Sequence, residues 1–379
     1  MNFTVILENT GATWVVNIIL LLLGFVMLVK GADFFVDGAS GIAKKLKIST
    51  FIIGVTVVAI GTSAPELAVT IADVLKPDGG KVVIGNILGS NVMNILLILG
   101  ISALICKLPS EKTTRMIDMP FLIFISALFL IFGVFAGGFE FGPDENGAMC
   151  LNGVMPWWCG LILFLLYIGF MVYNIILATK QSKARLEQAT AVSMTADEPA
   201  TAENLSGLKK LGAWYENMQA KTWFLVVIAV VGLVIVVLGA QLVVDSATVI
   251  AEDLIGIPTE IVALTVVAFG TSLPELITSI SAAKKGDVGI ATGNIIGSNI
   301  ANILLIGGVG ALCSGSRGIA FTMDGLVGGI VSLLAAVLIF GFSMGKTKSL
   351  GKVAGIVMLM CLVGYYTFLF VNLGVGIYA

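Results

Sequence analysis

The chain has 379 residues, 58% of them hydrophobic and only 12% charged, with a mean hydropathy of +1.06. A soluble domain carries roughly 25% charged residues, which excludes a single large water-soluble globule. The formal net charge is −2 and histidine is absent, which also excludes a histidine-based proton relay or pH switch.

Apolar runs of about 20 residues, enough to cross a hydrocarbon layer of roughly 30 Å, recur along the chain. They lie at 14–33, 50–75, 82–106, 119–137, 156–178, 223–245, 258–282, 289–312, 322–344 and 351–377. The first reads as a transmembrane helix rather than a cleaved signal, because MNFTVILENTGAT before it holds no Lys or Arg. The expected fold is an all-α polytopic membrane protein with ten transmembrane helices.

Lys and Arg orient those helices. The loops after runs one, three, five, seven and nine, with Lys30, hold 18 of the 21 basic residues. Only Lys76, Lys81 and Arg317 fall on the other face, where the 138–155 loop carries Glu140, Asp144 and Glu145. The odd loops are therefore expected to face the cytoplasm and both termini the outside, in a plasma membrane of the bacterial inner-membrane type.

The two halves resemble each other. GADFFVDGAS (31–40) matches GAQLVVDSAT (239–248), and GVTVVAIGTSAPEL (54–67) matches ALTVVAFGTSLPEL (263–276). VVIGNILGSNVMNILLILG (82–100) matches GIATGNIIGSNIANILLIGG (289–308). Five crossings per half is an odd number, so the second half is inverted relative to the first. That is the plan of secondary transporters, with the site at the repeat interface near the midplane. Residues 1–178 form the first repeat and 223–379 the second. Between them, 179–222 reads as a cytoplasmic linker: a polar, flexible part, then Leu205, Leu208, Leu211, Trp214, Tyr215 and Met218 at the spacing of an amphipathic surface helix or an ordinary connector.

The chemistry lies in GTSAPEL and GTSLPEL. Glu66 and Glu275 sit at membrane depth, where a charge costs roughly 2.5–3.5 kcal/mol on insertion scales. Thr62, Ser63, Thr271 and Ser272 add hydroxyl oxygens within a turn. Pro65 and Pro274 deprive the carbonyls of Gly61 and Gly270 of their helical donors. The following helices bring Asn86, Ser90, Asn91 and Asn94, matched by Asn294, Ser298, Asn299 and Asn302, with Gly85, Gly89, Gly293 and Gly297 spaced for close helix approach. An all-oxygen set of this kind suits hard cations, and two carboxylates neutralise one divalent or two monovalent ions. Asp37 and Asp245 read as caps or interfacial charges near helix ends, and Asp73 as peripheral. The five cysteines show no metal-ligand spacing and read as small hydrophobes, with Cys150 and Cys159 able to pair in an oxidising compartment.

These paired motifs resemble the α-repeats of the cation/calcium exchanger superfamily, in its branch of sodium/calcium exchangers and bacterial calcium/sodium antiporters. The resemblance implies ten helices in two inverted five-helix repeats. It also implies exchange of Ca²⁺ against Na⁺, with those ions and the lipid bilayer as partners and no cofactor, nucleic acid or protein partner. The implied ion ligands are Glu66 and Glu275, the hydroxyls of Thr62, Thr271, Ser63, Ser272, Ser90 and Ser298, the amides of Asn94 and Asn302, and the carbonyls of Ala59 and Ala268. Potassium-dependent relatives carry Asp at the position of Asn302, so the amide leans against potassium co-transport. Calcium/proton antiport and a passive cation channel are the alternatives. An intramembrane enzyme ranks last, because no nucleophile–base pair falls at membrane depth.

Overall fold

The computed structural model describes residues 10–76, 79–80, 83–143, 149–192, 221–250 and 268–377. Helix α1 (Thr10–Leu46) runs 37 residues without a break, about 55 Å, well past its apolar stretch. Nothing in that sequence stops it until Lys47 turns to φ 56°, and Ser49 then caps the next helix by accepting from Phe51 N at 3.2 Å. Asp37 is therefore an internal residue of α1, not a helix cap.

Helix α2 (Thr50–Thr62) and helix α3 (Ala64–Val74) meet at a 43° bend at Ser63, just ahead of Pro65. The expected break is present. The later helices are α4 (Val83–Ile105), α5 (Thr114–Phe135), α6 (Trp157–Val192) and α7 (Thr222–Val249). They continue with α8 (Ala268–Thr271), α9 (Leu273–Lys284), α10 (Val288–Arg317), α11 (Met323–Met344) and α12 (Lys352–Ile377). Among the described residues eight helices are long and apolar enough to span a membrane, and the bent α2–α3 pair makes a ninth. The remaining expected crossing, run 258–282, is described only from Ala268 onward, as α8 and α9.

Two helices form the centre. The most apolar windows of α4 and α10 are 78% and 83% buried, against 17–39% for the other long spans. The outer helices turn Leu22 and Val26 (α1), Leu165 (α6) and Met360 (α12) outward, as a lipid-facing ring requires. Helices α1 and α7 pack along each other through small residues: Gly31 lies against Gly232 and Val236, and Gly38 against Ala229 and Leu225. A Cβ on Gly31 would stand 2.8 Å from Val236 N, so only glycine permits this approach.

Short strands join the halves at both ends of the bundle. Strand β1 (Leu108–Pro109) pairs antiparallel with β5 (Ser349–Leu350), while β2 (Phe139–Pro143), β3 (Met149–Met155) and β4 (Ile319–Phe321) form a three-stranded sheet. The 138–155 segment, expected as a loop, is thus a hairpin, extended by pairing of Val154 with Ala320. The pairings also test the crossing order. The loops after runs three and nine meet in β1–β5, those after runs four and eight meet in β3–β4, and Ser49, after run one, donates to Glu111, after run three, and to Gln181, after run five.

Other expectations change. Helix α6 continues to Val192, so the opening of the expected linker is helical; the expected amphipathic stretch at 205–218 lies outside the described residues. Cys159 is a buried free thiol, so no Cys150–Cys159 bridge forms. Asp73 Oδ2 accepts from Gly80 N at 3.0 Å and secures the turn after α3.

Candidate cation site

The two sequence breaks bring both glutamates to the centre. Ser63 (φ −84°, ψ 7°) ends α2 and Ser272 (φ −88°, ψ 2°) ends α8, each followed by a proline in the first turn of the next helix. One turn on, Glu66 is 1% exposed and Glu275 fully buried, and the carboxylates lie within Coulombic reach of each other. Thr62, Ser63, Ser90, Asn94, Ser272, Ser298 and Asn302 are all buried around them.

Helices α4 and α10 supply the amides and widen where they do so. Wide, π-type turns cover Met93–Leu99 and Asn302–Ile306, at the matched positions of Asn94 and Asn302. Such turns tilt side chains out of the regular helical array and gather at functional sites.

The hydrogen bonds are mostly between repeats. Ser63 Oγ donates to Glu275 Oε1 at 3.0 Å, and Thr62 Oγ1 donates to Asn294 Oδ1 at 3.0 Å. Asn302 Nδ2 donates to Ser90 Oγ at 3.2 Å and to Asn91 Oδ1 at 3.0 Å, while Ser90 and Ser272 hydroxyls meet at 3.3 Å. Within each repeat the pattern is parallel. Asn86 Nδ2 donates to Glu66 O and Thr70 Oγ1, each at 3.3 Å, and Asn294 Nδ2 donates to Glu275 O at 3.5 Å and Ser279 Oγ at 2.9 Å.

Several buried oxygens remain without a hydrogen-bond partner: both of Glu66, Oε2 of Glu275, Oγ of Ser298, and Oδ1 of Asn94 and Asn302. Leaving a buried acceptor unsatisfied costs about 1–3 kcal/mol, and more when it is charged. Six such oxygens in one cluster, two carboxylates among them, form a donor set for a hard cation. Among the described residues no group of three or more His, Cys, Asp or Glu side chains gathers.

The other expected ligands stand as follows. The Ala59 carbonyl accepts from Ser63 N at 3.1 Å, so it is engaged at the helix break. Thr271 ends α8 and Ala268 opens it. The close helix approach expected of the glycines holds in α10, where a Cβ on Gly293 would meet Phe51 O and one on Gly297 would meet Val55 O, each at 2.5 Å. Gly85 and Gly89 show no such neighbour among the described residues; the segment repeat-matched to α2 there, 259–267, lies outside them. The sequence groups Asn91 with the amide oxygens near the site but not with the implied ligands; in the structure it clasps the repeats by donating to Asn299 O at 3.4 Å and accepting from Asn302. Its signal was present in the doubled GSN tripeptide.

Comparisons with known proteins identify a family. A family model described as "Sodium/calcium exchanger protein" matches residues 16–176 and 224–371. The chain is 33% identical over 359 residues to the putative antiporter CaxA of Alkalimonas amylolytica, covering 93% of this chain and 98% of that one. It is 34% identical over 303 residues to the sodium/calcium exchanger MaX1 of Methanosarcina acetivorans, covering 78% and 83%. Among solved structures, the sodium-calcium exchanger NCX_Mj aligns with a TM-score of 0.71 at 28% identity, over 93% of this chain and 99% of that one.

Proposed function

The chain belongs to the sodium/calcium exchanger family, a family of membrane transporters, and from that premise we propose that it exchanges Ca²⁺ for Na⁺ across a bacterial-type inner membrane, its termini on the outer side. The observation that carries this reading is the cluster of unpartnered buried oxygens around Glu66 and Glu275, drawn from both repeats.

The mechanism follows from charge. Two carboxylates buried side by side repel each other and are poorly solvated, so the pair is strongly unfavourable while bare. One Ca²⁺, or Na⁺ ions in its place, neutralises them and satisfies the hydroxyl and amide oxygens together. The loaded site can then cross between conformations, whereas the bare pair resists it; coupling arises because transit needs one cargo or the other. Glu66, Glu275, Ser63, Ser272, Ser90, Ser298, Thr62, Thr271, Asn94 and Asn302 are the proposed ligands, with the carbonyls of Ala59 and Ala268 joining when the helix breaks flex. Asn302 adds an amide where a carboxylate would add charge, which favours exchange without potassium.

The deciding experiment is Ca²⁺ uptake into proteoliposomes loaded with Na⁺. Uptake should require the outward Na⁺ gradient and ignore a proton gradient. Uptake driven by protons without Na⁺ would replace this reading with calcium/proton antiport, and flux indifferent to any counter-ion would replace it with a channel.

A further inference from the structure

At one end of the bundle, α1 is tied to the turn between α9 and α10. Lys285 Nζ reaches Asp37 Oδ1 at 2.7 Å and the Asp33 carbonyl at 2.7 Å, with Asp33 Oδ1 at 3.6 Å. Ser281 Oγ donates to Asp33 Oδ1 at 2.7 Å, and Ser40 Oγ to Asp287 Oδ1 at 3.0 Å. The turn, with Gly286 at φ +78°, joins the helix carrying Glu275 to the helix carrying Asn294, Ser298 and Asn302. This tie therefore fixes the second repeat's share of the cation site against α1 at one membrane face. None of its members belongs to that site.

The repeats contain a second set. The offset of 208 that aligns GADFFVDGAS with GAQLVVDSAT places Asp245 opposite Asp37. The offset of 209 that aligns Glu66 with Glu275 places Lys76 opposite Lys285. Inversion puts this second lysine and aspartate at the other membrane face. They are not bonded to each other: Asp245 accepts from Gln241 at 2.7 Å, and the end of α3 is held through its carbonyls, with Arg317 donating to Val74 O at 2.8 Å and Lys76 O at 2.9 Å.

We propose that Lys285–Asp37 and Lys76–Asp245 are alternating latches, the first closed in the conformation described here and the second closing as the first opens. The idea rests on the antiporter reading. An inverted-repeat transporter exchanges the conformations of its two halves as access changes sides, so a contact between a residue of one half and a residue of the other recurs, in the alternate state, between their repeat-matched counterparts. The Lys285–Asp37 latch is a part-exposed ion pair, its side chains 27% and 36% exposed. Pairs of this kind are weak enough to break in every cycle. The latches are also unequal. Asp33, the second carboxylate beside Lys285, is matched by the uncharged Gln241, so the Lys285 latch is the stronger and biases the resting protein toward the conformation seen here.

The test uses full-length protein in liposomes, with the native cysteines replaced and one of two pairs introduced: Asp37→Cys with Lys285→Cys, or Lys76→Cys with Asp245→Cys. A reducible bifunctional thiol reagent joins each pair. Both pairs should crosslink, each crosslink should block Ca²⁺ uptake at least about tenfold, and reductant should restore it. In the second background, Lys285→Ala should raise the crosslinking rate about threefold, whereas Lys285→Arg, which keeps the charge, should not. The Arg variant also separates loss of the latch from loss of folding. The proposal is overturned if the Lys76→Cys/Asp245→Cys pair fails to crosslink, if its rate ignores Lys285→Ala, or if uptake continues with either pair joined. Crosslinking rates are read without transport. A protein that crosslinks as expected yet moves no cation would overturn the antiporter reading and support the latch.

Discussion

Ser63 in the first repeat donates to Oε1 of Glu275 in the second, at 3.0 Å across 212 positions. The matched contact, Ser272 to Glu66, is not made: Ser272 meets Ser90 instead, and both Glu66 oxygens lack a hydrogen-bond partner. The likeness of the halves is thus broken at the site itself. A site that faces one side at a time requires that its two halves differ at any instant.

This asymmetry separates the two glutamates. Glu66→Gln removes an uncompensated buried charge and should raise the stability of the cation-free protein by about 1–3 kcal/mol, while Glu275→Gln, which keeps an acceptor for Ser63, should change it less. Both should lower Ca²⁺ uptake at least about a hundredfold. Thermal melting with and without Ca²⁺ is the check: the parent should gain about 2.7 kcal/mol at a hundredfold excess of Ca²⁺ over its Kd, and Glu66→Gln should gain almost nothing.

The serines should differ in the same sense. Ser63→Ala removes a hydrogen bond to a carboxylate and should destabilise the protein by about 1.5–3 kcal/mol, whereas Ser272→Ala loses only a hydroxyl–hydroxyl contact and should cost about 0.5–1.5 kcal/mol. Equal losses in thermal melts of the two variants would contradict the observed asymmetry.

Glycine substitutions probe the packing of α10. Gly297→Ala would drive a Cβ to 2.5 Å from Val55 O and 2.7 Å from the Ala59 Cβ, so α2 must move. Overpacking of this kind costs about 1–3 kcal/mol. The melting temperature of Gly297→Ala should therefore fall below that of the parent.

Asn302→Asp adds a third carboxylate and removes the amide donor that serves Ser90 and Asn91. The cation-free protein should lose about 1–3 kcal/mol, and Ca²⁺ should restore more of that than it adds to the parent. Calorimetric Ca²⁺ titration, repeated with Na⁺ present, should show a gain for the divalent ion over the monovalent one.

Thiol chemistry provides a check on the fold. Cys313, exposed near the end of α10, should label with a maleimide in the folded protein, whereas buried Cys159 and Cys361, midway along the membrane-spanning α12, should label only after unfolding. Unfolding without reductant should release all five thiols.

Much of this was legible in the sequence because its signals are local or repeated. Apolar runs marked the crossings, Pro65 and Pro274 marked the bends, and the matched GTSxPEL and GNIxGSN segments singled out Glu66, Glu275 and their neighbours. The misreadings were of extent and of partner. Helix α1 outran its apolar stretch because helices propagate through polar residues until a breaker stops them. Asp37 reads in the sequence as a cap or an interfacial charge; the cap is excluded, and its partner Lys285, 248 positions away, is beyond the reach of local pattern.

Composition and periodicity, by themselves, determined that the chain crosses a membrane repeatedly, in two inverted halves, with one carboxylate per half at depth. Those properties follow from the free energy of placing each residue in hydrocarbon or water, a sum of local terms. The tertiary structure alone decided which of the two matched glutamates accepts from the motif serine of the other repeat, and which of two matched lysines holds α1. Two packings of so symmetric a sequence differ by few and weak contacts, so that choice is made by long-range packing rather than by residue order.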